Sequence, residues 1–343
     1  MGLKSQAGGN AEMMKSRILI VPIGSGMAMS ALKDLSKADD LEIIVADSDP
    51  VTPGMNMGFP SFVVPSIEDE EFFPVLEEII VREKIDLVIP CLDTFLIPFA
   101  RRRADIERLG AKVMTSPTEA LELSRDKWEM YTRLEGKVPQ PKSSIDPSII
   151  DELRYPIFIK PRDGSGSINA FKVENREEAE FYLSRISNPI IQEYLPGREY
   201  TVDCIADMNG RLLSASPRLR IRTKSGICTI SKTVSNALLE EAAGKITEEI
   251  PVNGPFFFQA KEDESGLPKL TEINIRLAGT MALTTRAGVN IPLTAVRIFL
   301  GQKTPPIGRT KKGLYLARYW EEIYFSETQL ESISSTALEN AHA

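Results

Sequence analysis

Between Phe258 and Thr280 the chain places a carboxylate, two side-chain amides and a guanidinium at spacings that could serve one reaction centre. Gln259 follows three consecutive phenylalanines, Phe256 to Phe258, and a polar turn at Glu262-Asp263-Glu264-Ser265-Gly266 then reverses the chain. On the return, Glu272, Asn274 and Arg276 alternate with Ile273, Ile275 and Leu277. Side chains along a strand point alternately to opposite faces, so the polar three share one face and the aliphatic three the other. Gln259, on the preceding strand, can stand beside the polar set. Hard oxygen ligands in small number suit Mg²⁺, which keeps several waters and takes further ligands from substrate phosphates. Arg276 would meet phosphate charge with a planar fork of donors. An ordinary antiparallel hairpin with one solvated face shows the same alternation, so the rest of the chain has to decide.

The composition removes several kinds of chemistry. The 343 residues are 42% hydrophobic and 26% charged, the balance of a globular protein large enough for two or three domains. A net charge of −7 speaks against an extended nucleic-acid surface. Cys91, Cys204 and Cys228 show no close pairing, which argues for a reducing compartment and against a disulfide framework or a zinc knuckle. The single histidine, His342, lies one residue from the end of the sequence. A histidine base, a Ser-His-Asp triad and a histidine metal site are therefore disfavoured, leaving Lys, Arg, carboxylates, amides, backbone and a hard cation. No stretch reaches about 18 uninterrupted apolar residues, so no membrane span is expected and a cytoplasmic location is. Residues 1–15 read as a disordered leader or tag.

The elements that must position the centre follow two patterns. From Arg17 to Ser116, four short apolar runs alternate with amphipathic helical stretches, as in a parallel α/β sheet with ligands at the carboxyl ends of its strands. Gly24, Gly26, Asp47, Asp49 and Asp93 fall at such ends. The Gly-Ser-Gly turn is too short for a dinucleotide fingerprint, so an NAD site is disfavoured. Two helices are expected within Pro117–Glu135, with Arg125-Asp126-Lys127 opening the second, and Lys137–Pro147 reads as a linker. From Tyr155 the pattern becomes strand, glycine loop, strand. Lys160 ends the first strand, and Asp163-Gly164-Ser165-Gly166-Ser167 forms the tip, either a phosphate cradle built from backbone N–H groups or a flexible hairpin end. Further strands carry Gln192-Glu193-Tyr194-Leu195, then Glu199, and then Arg218, Arg220 and Arg222 in alternation. The segment from Gly313 to Phe325 is expected to close the core as a strand, with Trp320 inside it.

Taken in order, these pieces resemble the ATP-grasp superfamily, and within it one unit of the carbamoyl phosphate synthase large chain. The landmarks are Asp126-Lys127, Lys160 before the Gly/Ser loop, Gln192-Glu193-Tyr194-Leu195, Pro196-Gly197-Arg198-Glu199, Gln259, and Glu272-x-Asn274-x-Arg276, spread over about residues 16–325. The resemblance implies an N-terminal Rossmann-like, pre-ATP-grasp parallel-sheet domain (16–115). A two-subdomain α+β ATP-grasp fold would follow, its small lid subdomain over 116–190 and its C-terminal subdomain over 191–325, with a polar tail at 326–343. It further implies ATP with Mg²⁺ or Mn²⁺ as cofactors. Lys127 and Lys160 would contact phosphates, Lys160 also lying near the adenine, and the loop with Ser165, Gly166 and Ser167 would close over the phosphates. Gln192, Glu193, Tyr194 and Leu195 would bind the nucleotide, with backbone groups at Glu193 and Leu195 reading the adenine edge. Glu199 would hold the ribose, Gln259, Glu272 and Asn274 the metal, and Arg276 with Lys160 would be catalytic. Where the synthase has arginine at positions 127 and 160, this chain has lysine, which keeps the charge and loses the bidentate geometry.

The implied reaction activates a carboxylate as an acyl phosphate and passes it to an amine, so the expected partners are small carboxylate and amine molecules, with a homodimer left open. Arg218, Arg220, Arg222, Lys232 and Arg286 are the candidate substrate cations. Two other readings stay open: a carbamoyl phosphate synthase-like subunit working with other chains, and a non-catalytic ATP-binding regulatory protein.

Overall fold

The computed structural model describes residues 15–338 apart from 165, 167, 225 and 305. Its first unit is a βα sandwich: β1 (Ser16–Val21), α1 (Gly26–Leu35), β2 (Leu41–Asp47), β3 (Ser61–Val63), α2 (Phe72–Arg82), β4 (Leu87–Pro90), α3 (Asp93–Arg101), α4 (Arg103–Arg108) and β5 (Lys112–Val113). The strands are parallel in the order β3-β2-β1-β4-β5. Such a sheet is covered on both faces, which is why its strands read as unbroken apolar runs. Ile18 and Ile20 of β1 pack towards α1, while Leu19 and Val21 pack with Phe72, Phe95 and Phe99 on the other face. The helical stretch between β4 and β5 breaks near Arg102, into α3 and α4.

Two helices, α5 (Thr118–Arg125) and α6 (Lys127–Leu134), lead to a four-stranded antiparallel sheet. This smaller sheet holds β6 (Ser143–Ser144), β7 (Ile157–Pro161), β8 (Phe171–Val173), the helix α7 (Arg176–Leu183) and β9 (Pro189–Glu193), in the order β6-β9-β7-β8. The stretch read as a linker is therefore part of a sheet edge, since Ser143 and Ser144 pair with Gln192 and Ile191. A boundary at 190/191 would also cut β9 in two; all of β9 pairs within the smaller sheet.

The large sheet comprises β10 (Glu199–Ala206), β11 (Leu212–Lys224), β12 (Ile227–Thr233), α8 (Ala237–Glu249), β13 (Gly254–Glu262), β14 (Pro268–Asn274), α9 (Ala282–Arg286), α10 (Ile291–Phe299) and β15 (Tyr315–Ala317). Its six strands run β14-β13-β10-β11-β12-β15, with α5, α6 and α8 on its apolar face. Only three residues of the expected closing strand pair, at the outer edge of the sheet beside β12. Trp320 is 89% exposed, a correction to its reading as a core residue. Beyond it the chain carries Glu321 and Glu322, whose charge opposes burial. The last helix, α11 (Glu327–Leu338), lies against β3.

Candidate active site

The large sheet has two chemically different faces. Register sets Glu272 opposite Gln259, Gln259 opposite Thr201, and Thr201 opposite Arg218. Directly paired residues share a side of the sheet, so these groups form one polar row. Ile273, Phe258 and Val202 are aligned in the next row and point into the apolar core, as the alternation in β14 predicts.

A cavity of about 200 Å³ opens between this polar face and the smaller sheet. Lys127, Lys160 and Gly164 line one wall, and Glu199, Gln259, Lys261 and Glu272 the other. Glu193, Tyr194 and Leu195 bridge them, where the chain leaves β9 for β10. Phe158, Ile168 and Pro141 supply an apolar end. The cavity is thus apolar at one end and charged at the other.

Local chemistry explains why Lys127 stands where it does. Asp126 caps α6, accepting from the backbone N–H of Trp128 at 2.9 Å, and the Arg162 fork grips the same carboxylate. The Lys127 N–H donates to Arg162 O at 2.9 Å, which stitches the start of α6 to the end of β7. Lys127 Nζ donates to Gly164 O at 2.9 Å, holding the glycine loop. Gly164 and Gly166 have φ of +109° and +73°, values few other residues adopt. A Cβ on Gly226 would lie 3.1 Å from the Gly166 backbone, so this loop reaches the turn between β11 and β12.

Lys160 is buried and donates to Thr271 O at 3.2 Å. Burial pulls its pKa down to about 8; Glu272 opposes the shift and Lys127 adds to it. Asn274 donates to Glu272 Oε1 at 2.7 Å, so the two expected metal-binding groups of β14 are adjacent. No group of three or more Asp, Glu, His or Cys able to hold a metal occurs among the described residues. A cation at Glu272 would therefore draw on the Gln259 and Asn274 amides and on phosphate oxygens, a donor set that suits Mg²⁺.

The N-terminal and C-terminal parts of the chain match two family models: residues 18–114 match "PylC-like, N-terminal domain", and residues 185–321 match "ATP-grasp in the biosynthetic pathway with Ter operon". Residues 185–321 thus carry an ATP-grasp match.

Relatives of this chain include the D-alanine–D-alanine ligase of Petrotoga mobilis, 27% identical over 140 residues, covering 39% of this chain and 46% of that protein. The carbamoyl phosphate synthase large chain of Helicobacter pylori is 25% identical over 255 residues, 66% of this chain and 23% of that one. The chain thus spans less than half the length of these curated relatives. Among solved structures, the biotin carboxylase domain of Hydrogenobacter thermophilus 2-oxoglutarate carboxylase superposes with a TM-score of 0.72 at 14% identity, covering 88% of this chain and 73% of that one. N5-carboxyaminoimidazole synthetase from Staphylococcus aureus gives a TM-score of 0.66 at 15% identity, covering 85% and 79%. At these identities the structures establish the fold.

Within this cleft, most of the residues expected to touch nucleotide or metal come together. Lys127, Lys160, Gln192, Glu193, Tyr194, Leu195, Glu199, Gln259 and Glu272 line the cavity, and Asn274 sits next to Glu272. Ser165 and Ser167 lie outside the described residues. The Gln192 amide donates to Ser143 Oγ at 2.8 Å and so fastens the smaller sheet. Glu199 pairs with Arg220 at 2.7 Å. Arg276 lies just beyond β14 and forms a bidentate ion pair with Asp93 at the start of α3, its guanidinium over the Phe257 ring.

The five expected substrate cations do not converge, and two are spoken for. Arg218 is 1% exposed, with Nε donating to Asp203 at 2.9 Å and Nη2 at 3.1 Å; it is a core ion pair, which corrects its reading as a substrate anchor. Arg220 is divided among Glu199, Thr201 and Gly226 O. Lys232 pairs across from Leu219 and Tyr315, on the other side of the sheet from Arg218, and its ammonium lies over the Tyr315 ring. Arg222 and Arg286 are exposed and do not line this cavity. Conversely, Lys261 lines the cavity without having been singled out. Its signal was in the sequence: two residues after Gln259 on one strand places it on the same face. Its ammonium and that of Lys172 flank the Tyr194 ring at 5.1 and 4.9 Å.

Proposed function

We propose that this chain is an ATP- and Mg²⁺-dependent ligase that activates a carboxylate as an acyl phosphate and transfers the acyl group to an amine. The supporting observation is the convergence of Lys127, Lys160, Gln259 and Glu272 on one cavity between two sheets. In this reading the adenine enters the end framed by Phe158, Tyr194 and Leu195, and Lys127, Lys160 and the backbone at Gly164 and Gly166 hold the phosphates. Glu199 takes the ribose hydroxyls. Gln259, Glu272 and Asn274 would hold Mg²⁺, or Mn²⁺ in its place, which when bound neutralises phosphate charge. A substrate carboxylate oxygen bonds to the γ-phosphorus while the bond to the β,γ-bridging oxygen breaks and ADP leaves. The amine nitrogen then attacks the acyl carbon and inorganic phosphate departs. Arg276 and Lys160 stabilise charge on the transferred phosphoryl group, and positioning does the rest. No histidine is needed. The partial match to the carbamoyl phosphate synthase large chain supports a second reading, a synthase-like unit that works with other chains.

Titration with Mg-ATP against NAD tests the cofactor assignment. Saturable binding of Mg-ATP with no binding of NAD is expected; NAD binding alone would overturn it. The low pKa of Lys160 adds a pH test. The lysine is charged below about pH 8 and loses its proton above it, so ATP affinity should fall as pH rises through that region. Lys160→Arg should flatten the profile, because arginine stays protonated. An equally steep profile in the variant would assign the step to another group.

A further inference from the structure

The nucleotide cavity does not end at Glu272. A second cavity of about 160 Å³ shares Lys127, Gly164 and Glu272 with it and continues past Asn274. Its far wall is formed by Asp93 and Thr94 at the start of α3 and by Ser124 and Arg125 at the end of α5. Leu96, Leu121 and Ile273 close its floor.

Arg125 and Thr94 line both this cavity and an open surface depression that carries Arg101, Glu122, Asp126 and Arg162. Arg101 is paired with Glu122, Arg162 with Asp126, and Arg276 with Asp93. Among the described residues, the Arg125 side chain has no hydrogen bond, ion pair or ring contact, and the Thr94 hydroxyl has none either. The first turn of α3 has no side-chain cap, and its one acidic group, Asp93, is already engaged by Arg276. Unspent donors thus face a cavity whose near end is the expected phosphoryl-transfer site, while its floor is aliphatic. A volume of about 160 Å³ is that of roughly five liquid waters, enough for a small acid and too little for a drug-sized ligand.

We propose that this second cavity seats the carboxylate substrate, an acid with a short apolar chain of roughly three to six carbons, scaled from the volume per water. Arg125 and Thr94 anchor its carboxylate and the aliphatic floor receives its chain. The inference rests on the ligase reading above. In the step it positions, a carboxylate oxygen bonds to the γ-phosphorus and the bond to the β,γ-bridging oxygen breaks, its electron pair leaving with ADP.

Hydroxylamine provides the test, because it converts an acyl phosphate to a hydroxamate and inorganic phosphate. The protein would be assayed with Mg-ATP, hydroxylamine and straight-chain acids from acetate to octanoate. Hydroxamate is expected from the acids of three to six carbons, with little from octanoate. Arg125→Ala should raise KM for the acid about 10- to 100-fold, the size expected for one charge-assisted anchor, with KM for ATP changed less than about twofold. Arg125→Lys should recover part of the loss, and Thr94→Val should raise the acid KM in the same sense. Because Arg125 is exposed and unpaired, its variants are expected to keep the parent melting temperature. Hydroxamate formation with an unchanged acid KM in Arg125→Ala, or equal changes in both KM values, would overturn this assignment alone. If Mg-ATP binds but no acid in the series yields hydroxamate, the short apolar class falls. If ADP release with every other carboxylate also fails, the ligase reading falls with it.

Discussion

Replacing Arg218 with methionine should lower the free energy of unfolding by about 3–5 kcal/mol, the usual cost of orphaning a buried charge. The guanidinium meets the Asp203 carboxylate in parallel, and the Thr284 hydroxyl donates to the same carboxylate at 2.6 Å. Asp203 has no exposed surface, so removing its partner leaves an anion that water cannot reach. Arg218→Lys should rescue little, because one ammonium cannot reproduce the fork. The double variant Asp203→Asn, Arg218→Met should recover part of the loss, since the buried anion is then gone. Urea denaturation midpoints give the measurement. An unchanged midpoint in Arg218→Met, with a raised substrate KM, would return Arg218 to the role of substrate anchor and contradict the ion-pair account.

Arg276→Ala should reduce kcat by about 10²–10³-fold, the range seen when one preorganised donor to developing charge is removed, while ATP affinity changes only a few-fold. The residue has a second job that the experiment must separate. Through Asp93 it ties α3 of the first sheet to the end of β14, and its Nη1 donates to Leu277 O at 3.1 Å. Asp93→Asn weakens that tie and keeps the guanidinium. If Arg276 acts on the phosphoryl group, Asp93→Asn should keep far more activity than Arg276→Ala at matched stability. Equal losses in the two variants would make Arg276 a structural tie only.

How much of this was legible in the sequence depended on the range over which each feature is decided. The faces of β14 were readable because strand alternation is local: Glu272 faces Gln259 across the hairpin and Ile273 faces Phe258. Lys127 and the glycine loop were readable for the same reason, since a cap at Asp126 and positive φ at Gly164 are properties of a few adjacent residues. The arginines of β11 were not. Arg218 and Asp203 are 15 positions apart and meet because β10 and β11 pair in antiparallel register. Irregularities in pairing at Arg220/Arg222 then decide which later side chains share that face. Nothing in the alternation of Arg218, Arg220 and Arg222 says which carboxylates claim them. The partner of Arg276 was similarly hidden, because Asp93 lies 183 positions away on another sheet's helix. The failed closing strand has a different cause. Aromatic residues at Tyr315, Tyr319 and Trp320 favour a strand locally, yet only Tyr315–Ala317 finds a partner.

The most direct test of the account is ADP release with Mg-ATP against pooled amino acids and small carboxylates, run beside Glu272→Ala. The account predicts release that depends on a substrate pool and falls a hundredfold or more in the variant, several kcal/mol of lost metal-assisted charge stabilisation, with the denaturation midpoint unchanged. ADP release that Glu272→Ala leaves intact, or a protein that binds no ATP, would contradict it.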